Sequence, residues 1–538
     1  LTPHSPRRRS LAVELGAACA LVLVVLLVFR QTLSFDFVMW DDDHNIYQNP
    51  HIQALGWSQL AWMFTDTVYV RIYMPLGWLS LAVIHALVGL DPRGYHLANL
   101  VVHVGNTLLV FFLIQRLLTL HVRGETAGPA TALTAASFVA TLAWAVHPLR
   151  ADVVARASDL FHGQAGLFML AALSCYVHAA ARATGPLFRR RAYWLAVLFY
   201  VASLLTYPTG VTAFFVFFLL DVWPLRRPLL PTGEAGRPHR RVWLEKAPFV
   251  SASAAVLLLN AWGRTHTTFI HAPTLAEFGL LDRVMQAFWV WAYYAWKPWW
   301  PFGLSPVYTR LVSFSPTSWP FLASAAAVLA LTTFAVVAWR RFPALSGTWL
   351  CHLALLVPFL GLTEHYHFTS DRYSYLVSVA WSVLLALVLL RLWTGGRPTW
   401  VKAAALAVTL TTVAGLGVLA HRQAFIWRNT ATLFTYTLRQ IGSHPYAADI
   451  WWRLGLFQAQ QGRISEAIAS FDRTLAVLPD DPRTLVLKGA TQAAAGDLGA
   501  AAATLRRAVA VAPGNDDARA LLAAVEARRR EESGAGRK

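Results

Sequence analysis

The stretch "RRRSLAVELGAACALVLVVLLVFRQ", Arg7 to Gln31, sets the solvent in which this chain folds. Three arginines precede a run from Leu11 to Phe29 whose only charge is Glu14. A helix of about 20 such residues crosses the ~30 Å hydrocarbon core of a bilayer. A cleaved signal peptide has a similar beginning, but a small-x-small cleavage site would follow it. Here Arg30, Gln31 and Thr32 follow, so the run is read as an uncleaved first span.

Comparable runs recur near 95–118, 130–147, 161–181, 192–207, 208–223, 247–263, 319–339, 347–363, 373–393 and 401–420. Together they predict an all-α, polytopic membrane bundle of about eleven spans over residues 1–423. The composition agrees. With 14% charged residues among 538, and a mean hydropathy of +0.45, a soluble chain of this size could not hide its apolar surface. The formal charge of +18 invites a nucleic-acid reading. The cations sit in short clusters between apolar runs rather than on one soluble face, so no nucleic-acid partner is expected. Cys19, Cys175 and Cys351 lie far apart in apolar stretches and form no disulfide or metal-ligand pattern.

Charge sets the orientation. Alternate loops carry clusters such as Arg7–Arg9, Arg189–Arg191 and Arg226–Arg241, and the positive-inside rule makes these cytoplasmic. The N-terminus is then cytoplasmic. Two further apolar stretches, 73–90 and 284–300, are read as helices that lie on or re-enter the outer surface, because counting either as a span would reverse the bias. The acids fall on the opposite side: Asp36, Asp41, Asp42, Asp43, Asp66, Asp91, Asp152, Asp159, Glu277, Asp282, Glu364 and Asp371. The densest cluster, "WDDDHNIYQNP" (Trp40–Pro50), stands in the first outer loop, 30–94.

From residue 424 the pattern changes. Pro445, Pro479 and Pro513 are 34 residues apart, as are Gly455 and Gly489, and Gly462 and Gly496. This is the tetratricopeptide period, with small residues where two helices cross and a proline closing each unit. Two repeats are expected, about 448–481 and 482–515. A degenerate helix precedes them at Trp427–Gln440, and a cap follows at 516–532. Residues 424–538 thus read as a short extracytoplasmic α-solenoid. An extended acceptor segment in its concave groove is one use; a spacer or a self-association module is the other.

Many spans, acids in the first outer loop and a repeat tail together carry a resemblance. The stretches "WDDDHNIYQNPHIQAL", "HPLRADVVARASDLF", "YPTGVTAFFVFFLLDVWPLRR", "KPWWPFGLSPVY" and "SDRYSYL", in this order, are similar to the transmembrane and tetratricopeptide-repeat O-mannosyltransferases and their bacterial relatives, of the C-type glycosyltransferase superfold. The resemblance implies a glycosyltransferase in a bacterial plasma membrane. Such an enzyme moves mannose or a similar sugar from a polyprenyl-phosphate donor to a hydroxyl of a protein or peptide, on the extracytoplasmic face. Its acidic pair maps onto Asp41 and Asp42. Its second acidic site maps onto Asp152, with Asp159 nearby, although the Glu-Arg-Lys-Asp run of bacterial members is missing after Ser158. Its DRY motif maps onto Asp371, Arg372 and Tyr373, and its basic residue in the aromatic loop onto Lys297.

Each assignment has a plainer rival. A carboxylate can take the proton of an attacking hydroxyl, and Asp41 or Asp42 is the candidate; the sequence leaves the choice open. The rival is a helix N-cap. Arg372 offers two parallel donors to a phosphate; the rival is an arginine snorkelling to lipid headgroups. Lys297 lies in an aromatic belt, where interface anchoring is the plain role. His96, Asn99, His103 and Asn106 share one helix face, which suits hydrogen bonds between helices. A divalent metal is compatible with the aspartates and nothing requires one. Two other functions compete. One is a non-catalytic, membrane-anchored repeat scaffold, which would not need acids in separate outer loops. The other is a transporter, which would need mid-span charges and an internal repeat of spans.

Overall fold

The structure, a computed structural model of the chain, describes residues 6–122, 130–181, 185–227, 237–266, 273–362 and 367–535. Arg123, Arg182 and Glu364 lie outside the described residues, as does the 228–236 part of the Arg226–Arg241 loop. Every regular element among the described residues is helical. They divide into two compact units. The first comprises 1–35, 41–306 and 310–425; the second comprises 36–40, 307–309 and 426–538.

Among the described residues of the first unit, seven helices are long and apolar enough to cross a membrane: Leu11–Ser34, Pro92–His121, Ala157–Ala180, Arg241–Thr265, Trp319–Val337, Asp371–Thr394 and Thr399–Phe425. The bent pair Ala130–Ala145 and Pro148–Ala155 makes an eighth if it is one span. The chain is an integral membrane protein. The count is lower than eleven for a local reason. The runs expected at 192–207, 208–223 and 347–363 form helices of 16, 9 and 14 residues, Arg191–Thr206, Phe214–Val222 and Pro343–Leu356. At 1.5 Å per residue the first two fall short of ~30 Å, whereas the third runs on through its 3₁₀ turn as the 17-residue apolar stretch Pro343–Phe359. Pro208 and Gly210 turn the chain in a 3₁₀ segment between the first two, and Pro358 sits in a 3₁₀ turn after the third. The stretches 73–90 and 284–300 contain the helices Pro75–Val88 and Leu280–Trp296, of 14 and 17 residues.

One buried ionic network ties short helices to long ones. Asp221, fully buried, accepts from the Tyr176 hydroxyl at 2.9 Å and from Lys246 Nζ at 2.6 Å, and lies 3.2 Å from Arg227 Nη1. Glu245, also fully buried, pairs with Arg227 and accepts from the Leu187 backbone N–H at 2.8 Å. Burial of so many charges is tolerable only because each has an opposite partner.

The second unit is a stack of helical hairpins. Thr430–Ile441 precedes the pairs Ala447–Gln460 with Ile464–Val477 and Pro482–Ala494 with Leu498–Val511, and Asp516–Ala535 closes the stack. The glycines at the 34-residue period sit where paired helices touch. A Cβ on Gly455 would meet the Phe471 ring at 2.7 Å, and one on Gly489 would meet Leu505 Cγ at 2.6 Å. Only glycine lets the two backbones approach so closely.

Candidate active site

The site grows from the break after Ala145. Pro148 has no N–H to continue the Ala130–Ala145 helix, and the chain bends by 58° into Pro148–Ala155. At Arg156 the backbone is extended, with φ −93° and ψ 125°, before a 3₁₀ turn at Ala157–Asp159 and the Leu160–Ala180 helix. This puts Asp152, Asp159 and His162 around Arg156. Arg156 Nη2 lies 2.7 Å from Asp159 Oδ1, and Arg156 Nε lies 3.6 Å from Asp152 Oδ1. His162 Nδ1 lies 2.8 Å from Asp159 Oδ1.

The polar stripe of the Pro92–His121 helix holds this break in place. Asn99 Nδ2 donates to the Arg156 carbonyl at 2.6 Å, and Asn106 Nδ2 donates to the Gly163 carbonyl at 2.8 Å. His103 sits between the Tyr375 hydroxyl, 2.7 Å away, and the Ala145 carbonyl, 3.0 Å away. These are hydrogen bonds between helices.

The first loop brings its aspartates to the same break by different routes. Asp41 adopts φ +73°, a left-handed conformation that Asp and Asn tolerate better than most residues. Its Oδ2 lies 2.6 Å from Arg156 Nη1, yet half of its side chain remains exposed. Asp42 is fully buried, and its Oδ1 accepts the Ser158 backbone N–H at 2.8 Å. Asp42 stands at the N-cap position of a π-helical turn, Asp43–Tyr47, and makes no side-chain capping bond there. Its carboxylate joins two loops instead.

The DRY segment enters from the other side. Arg372 Nη1 donates to Ser370 Oγ at 2.7 Å and lies 3.4 Å from Asp152 Oδ2, to which Ser370 Oγ donates at 3.0 Å. Tyr294 fixes the segment by donating its hydroxyl to the Ser370 carbonyl at 2.6 Å. The Tyr373 ring stacks on Phe359 at 4.2 Å between centroids, and the Arg372 guanidinium lies over it at 5.3 Å.

Between these elements lies a cavity of about 500 Å³, lined by Asp41, His44, Asn45, Tyr69, Arg156, Ser158, Asp159, His162, Tyr207 and Arg372. Burial works against the Arg156 charge. Asp159, Asp152 and Asp41 outweigh that effect and the repulsion from Arg372, and hold the guanidinium above its ordinary value. Burial and the neighbouring Tyr373 push the Tyr207 phenol up, against the pull of Arg372. The cavity therefore presents one accessible carboxylate among fixed cations. Among the described residues, no group of three or more His, Cys, Asp or Glu side chains is arranged to hold a metal ion. The cation among Asp41, Asp152 and Asp159 is Arg156.

Of the residues singled out in the sequence, Asp41, Asp159 and Arg372 line this cavity. Asp42 and Asp152 stand behind the wall and hold wall residues. Tyr373 lines a narrower space that shares Arg372. Lys297 is not among the lining residues. It is buried, donates to the Phe302 carbonyl at 2.8 Å, and is lowered by burial against the favourable field of Asp371. Sequence reasoning passed over Arg156 and His162. The signal was present: Asp152, Arg156, Asp159 and His162 are spaced by four, three and three, which puts charged residues on one side of a nearly helical segment.

Comparison with known proteins bears on what such a cavity serves. No family model matches the chain. It is 24% identical to human Protein O-mannosyl-transferase TMTC1 over 89% of its own length and 57% of that protein. It is 29% identical to mouse Protein O-mannosyl-transferase TMTC2 over 44% of its length and 27% of that protein. The chain is a homologue of the transmembrane and tetratricopeptide-repeat O-mannosyltransferases. The matched stretches span between about a quarter and just over half of these curated relatives.

Proposed function

We propose that this chain is an integral-membrane glycosyltransferase. It moves a sugar from a polyprenyl-phosphate donor to a hydroxyl acceptor on the extracytoplasmic face, a protein serine or threonine, with mannose the first sugar to test. One observation carries the reading: the half-exposed Asp41 carboxylate and the Arg372 guanidinium line the same cavity. A general base and a phosphate-binding group are the two parts that such a displacement needs.

In this mechanism Asp41 accepts the proton of the acceptor hydroxyl as its oxygen bonds to the anomeric carbon. The bond from that carbon to the phosphate oxygen breaks, and its electron pair leaves with the phosphate. Arg372 meets the growing negative charge. A single displacement inverts the anomeric centre, by the geometry that governs inverting hydrolases. Arg156 holds Asp41 in place, and Asp42 holds the Ser158 turn. The N-terminus is cytoplasmic, the apolar stretch Pro343–Phe359 crosses the membrane as a ninth span beside the bent pair, and residues 424–538 are then the extracytoplasmic repeat domain, which holds the acceptor segment.

The test is direct. The purified protein is incubated in lipid nanodiscs with radiolabelled polyprenyl-phosphate mannose and serine- and threonine-rich peptides. Label released onto peptide with inverted anomeric configuration is expected. Failure to label any peptide from a panel of polyprenyl-phosphate sugars would return the chain to the scaffold reading.

A further inference from the structure

His162 has no part in the mechanism above, yet its position is specific. It is 6% exposed, and its Nε2 has no hydrogen-bond partner among the described residues. A buried polar atom without a partner is costly, so one aimed into a cavity marks a place for a ligand. His162 lines two cavities. One is the large polar cavity that holds Asp41. The other is a much smaller space, of about 10 Å³, whose lining mixes Thr209, Tyr373 and Tyr375 with Leu355, Phe359 and Leu376. His162 and Arg372 are the two residues common to both linings. They mark the point where the two linings meet, here called the neck.

A phosphate held by Arg372 in the large cavity would lie within the same lining as this unpartnered nitrogen. We propose that His162, oriented by Asp159, binds the phosphate of the lipid-linked donor together with Arg372 at this neck. The inference rests on the donor class proposed above and adds a second phosphate ligand. Tautomer chemistry gives it a signature. Two nitrogen and oxygen lone pairs would repel at 2.8 Å, so Nδ1 carries a proton toward Asp159 Oδ1. Nε2 can then donate to a phosphate oxygen only as imidazolium. Phosphate binding therefore draws a proton onto His162, and affinity should rise as pH falls. The charged and titratable groups facing the imidazole are Asp159 from its own turn, Arg156 from the preceding turn, Arg372 from the DRY segment and Tyr207 from the loop before Pro208; Asp41 lines the same cavity.

The probe is farnesyl methyl phosphate, an unreactive phosphodiester whose single charge does not itself titrate near neutrality. It is titrated into the full chain in nanodiscs between about pH 5.5 and about pH 8, the range of an imidazole. Parental protein should bind more tightly at the lower pH, and calorimetry in two buffers of different ionisation enthalpy should show proton uptake on binding. His162→Gln should bind about ten-fold more weakly at the lower pH and lose the pH dependence, as expected for loss of a charge-assisted hydrogen bond. Absence of proton uptake by the parental protein would overturn the proposal whether or not the variant folds. Parental affinity in His162→Gln with weakened binding in Arg372→Ala would overturn the role of His162 and leave the donor reading standing. Parental affinity in both variants would overturn the donor reading as well. Dimethyl phosphate binding as tightly as the farnesyl ester would assign the neck to free phosphate rather than to a lipid headgroup.

Discussion

Asp41 Oδ2 lies 2.6 Å from Arg156 Nη1, with half of the Asp41 side chain exposed and only 2% of the Arg156 side chain. The buried partner is the fixed one. Asp159 and Asp152 hold Arg156, so the guanidinium positions Asp41 while leaving part of its carboxylate facing the cavity. Asp42, next in sequence, is fully buried on the Ser158 N–H. Adjacent aspartates thus have different tasks, and the proposed base is Asp41.

Asp41→Asn is the test of that assignment. Asn keeps the size and also tolerates φ +73°, so the fold should be retained. Sugar transfer should fall by roughly 10²-fold or more if the carboxylate is the base. Transfer at the parental rate would remove Asp41 from the mechanism.

Asp42 should behave in the opposite way. Asp42→Asn retains an oxygen to accept from Ser158, so transfer should drop much less than in Asp41→Asn. Asp42→Ala leaves a buried N–H without its acceptor, at a cost of about 1–3 kcal/mol. Thermal unfolding in detergent should report that difference between the two Asp42 variants. Equal loss of transfer in Asp41→Asn and Asp42→Asn, with both folded, would contradict the division of labour.

Arg372→Lys should impair transfer nearly as much as Arg372→Ala, because an ammonium lacks the planar fork that meets two phosphate oxygens. The loss should appear in donor affinity as well as in turnover. Unchanged donor affinity in Arg372→Ala would leave an arginine that serves the membrane interface alone.

Stability should depend on a different part of the membrane unit. Asp221→Leu leaves Lys246 without its buried carboxylate and Arg227 with Glu245 alone, and removing one partner of a buried ion pair costs about 3–5 kcal/mol. A large fall in thermal midpoint is expected. A midpoint within a degree or so of the parental one would show that water compensates those cations.

In the repeat unit, Gly455→Leu should loosen the first hairpin, since even a Cβ would meet the Phe471 ring at 2.7 Å. Overpacking of this kind costs about 1–3 kcal/mol. Faster amide exchange over Ala447–Val477 in the full chain is the expected readout, and unchanged protection would mean that Phe471 swings aside freely.

Length and periodicity are local properties, and they carried much of the fold. Apolar runs near 20 residues identified the membrane class, because burying charge in hydrocarbon is costly wherever the chain goes. The 34-residue recurrence of Gly455 and Gly489 predicted helical hairpins, because close crossing of two helices excludes a side chain at that position. Charge types also marked Asp41, Asp159 and Arg372, which line the cavity. What the chain alone left open was set by contacts across large sequence separations. Arg156 pairs with Asp41, 115 residues away, and Ser158 with Asp42, 116 residues away. Which aspartate stays accessible depends on the left-handed backbone at Asp41 and on the turn that follows Arg156, and neither is encoded in residue type at those positions. The count of long apolar helices among the described residues is lower than eleven for the same reason: apolarity is additive along the sequence, whereas the turn at Pro208 that divides 192–223 into two short helices acts through backbone geometry. His162 has a spacing signal in the sequence, but a histidine acquires a role only from what surrounds it, here Asp159 at 2.8 Å from one nitrogen and a cavity that its side chain lines.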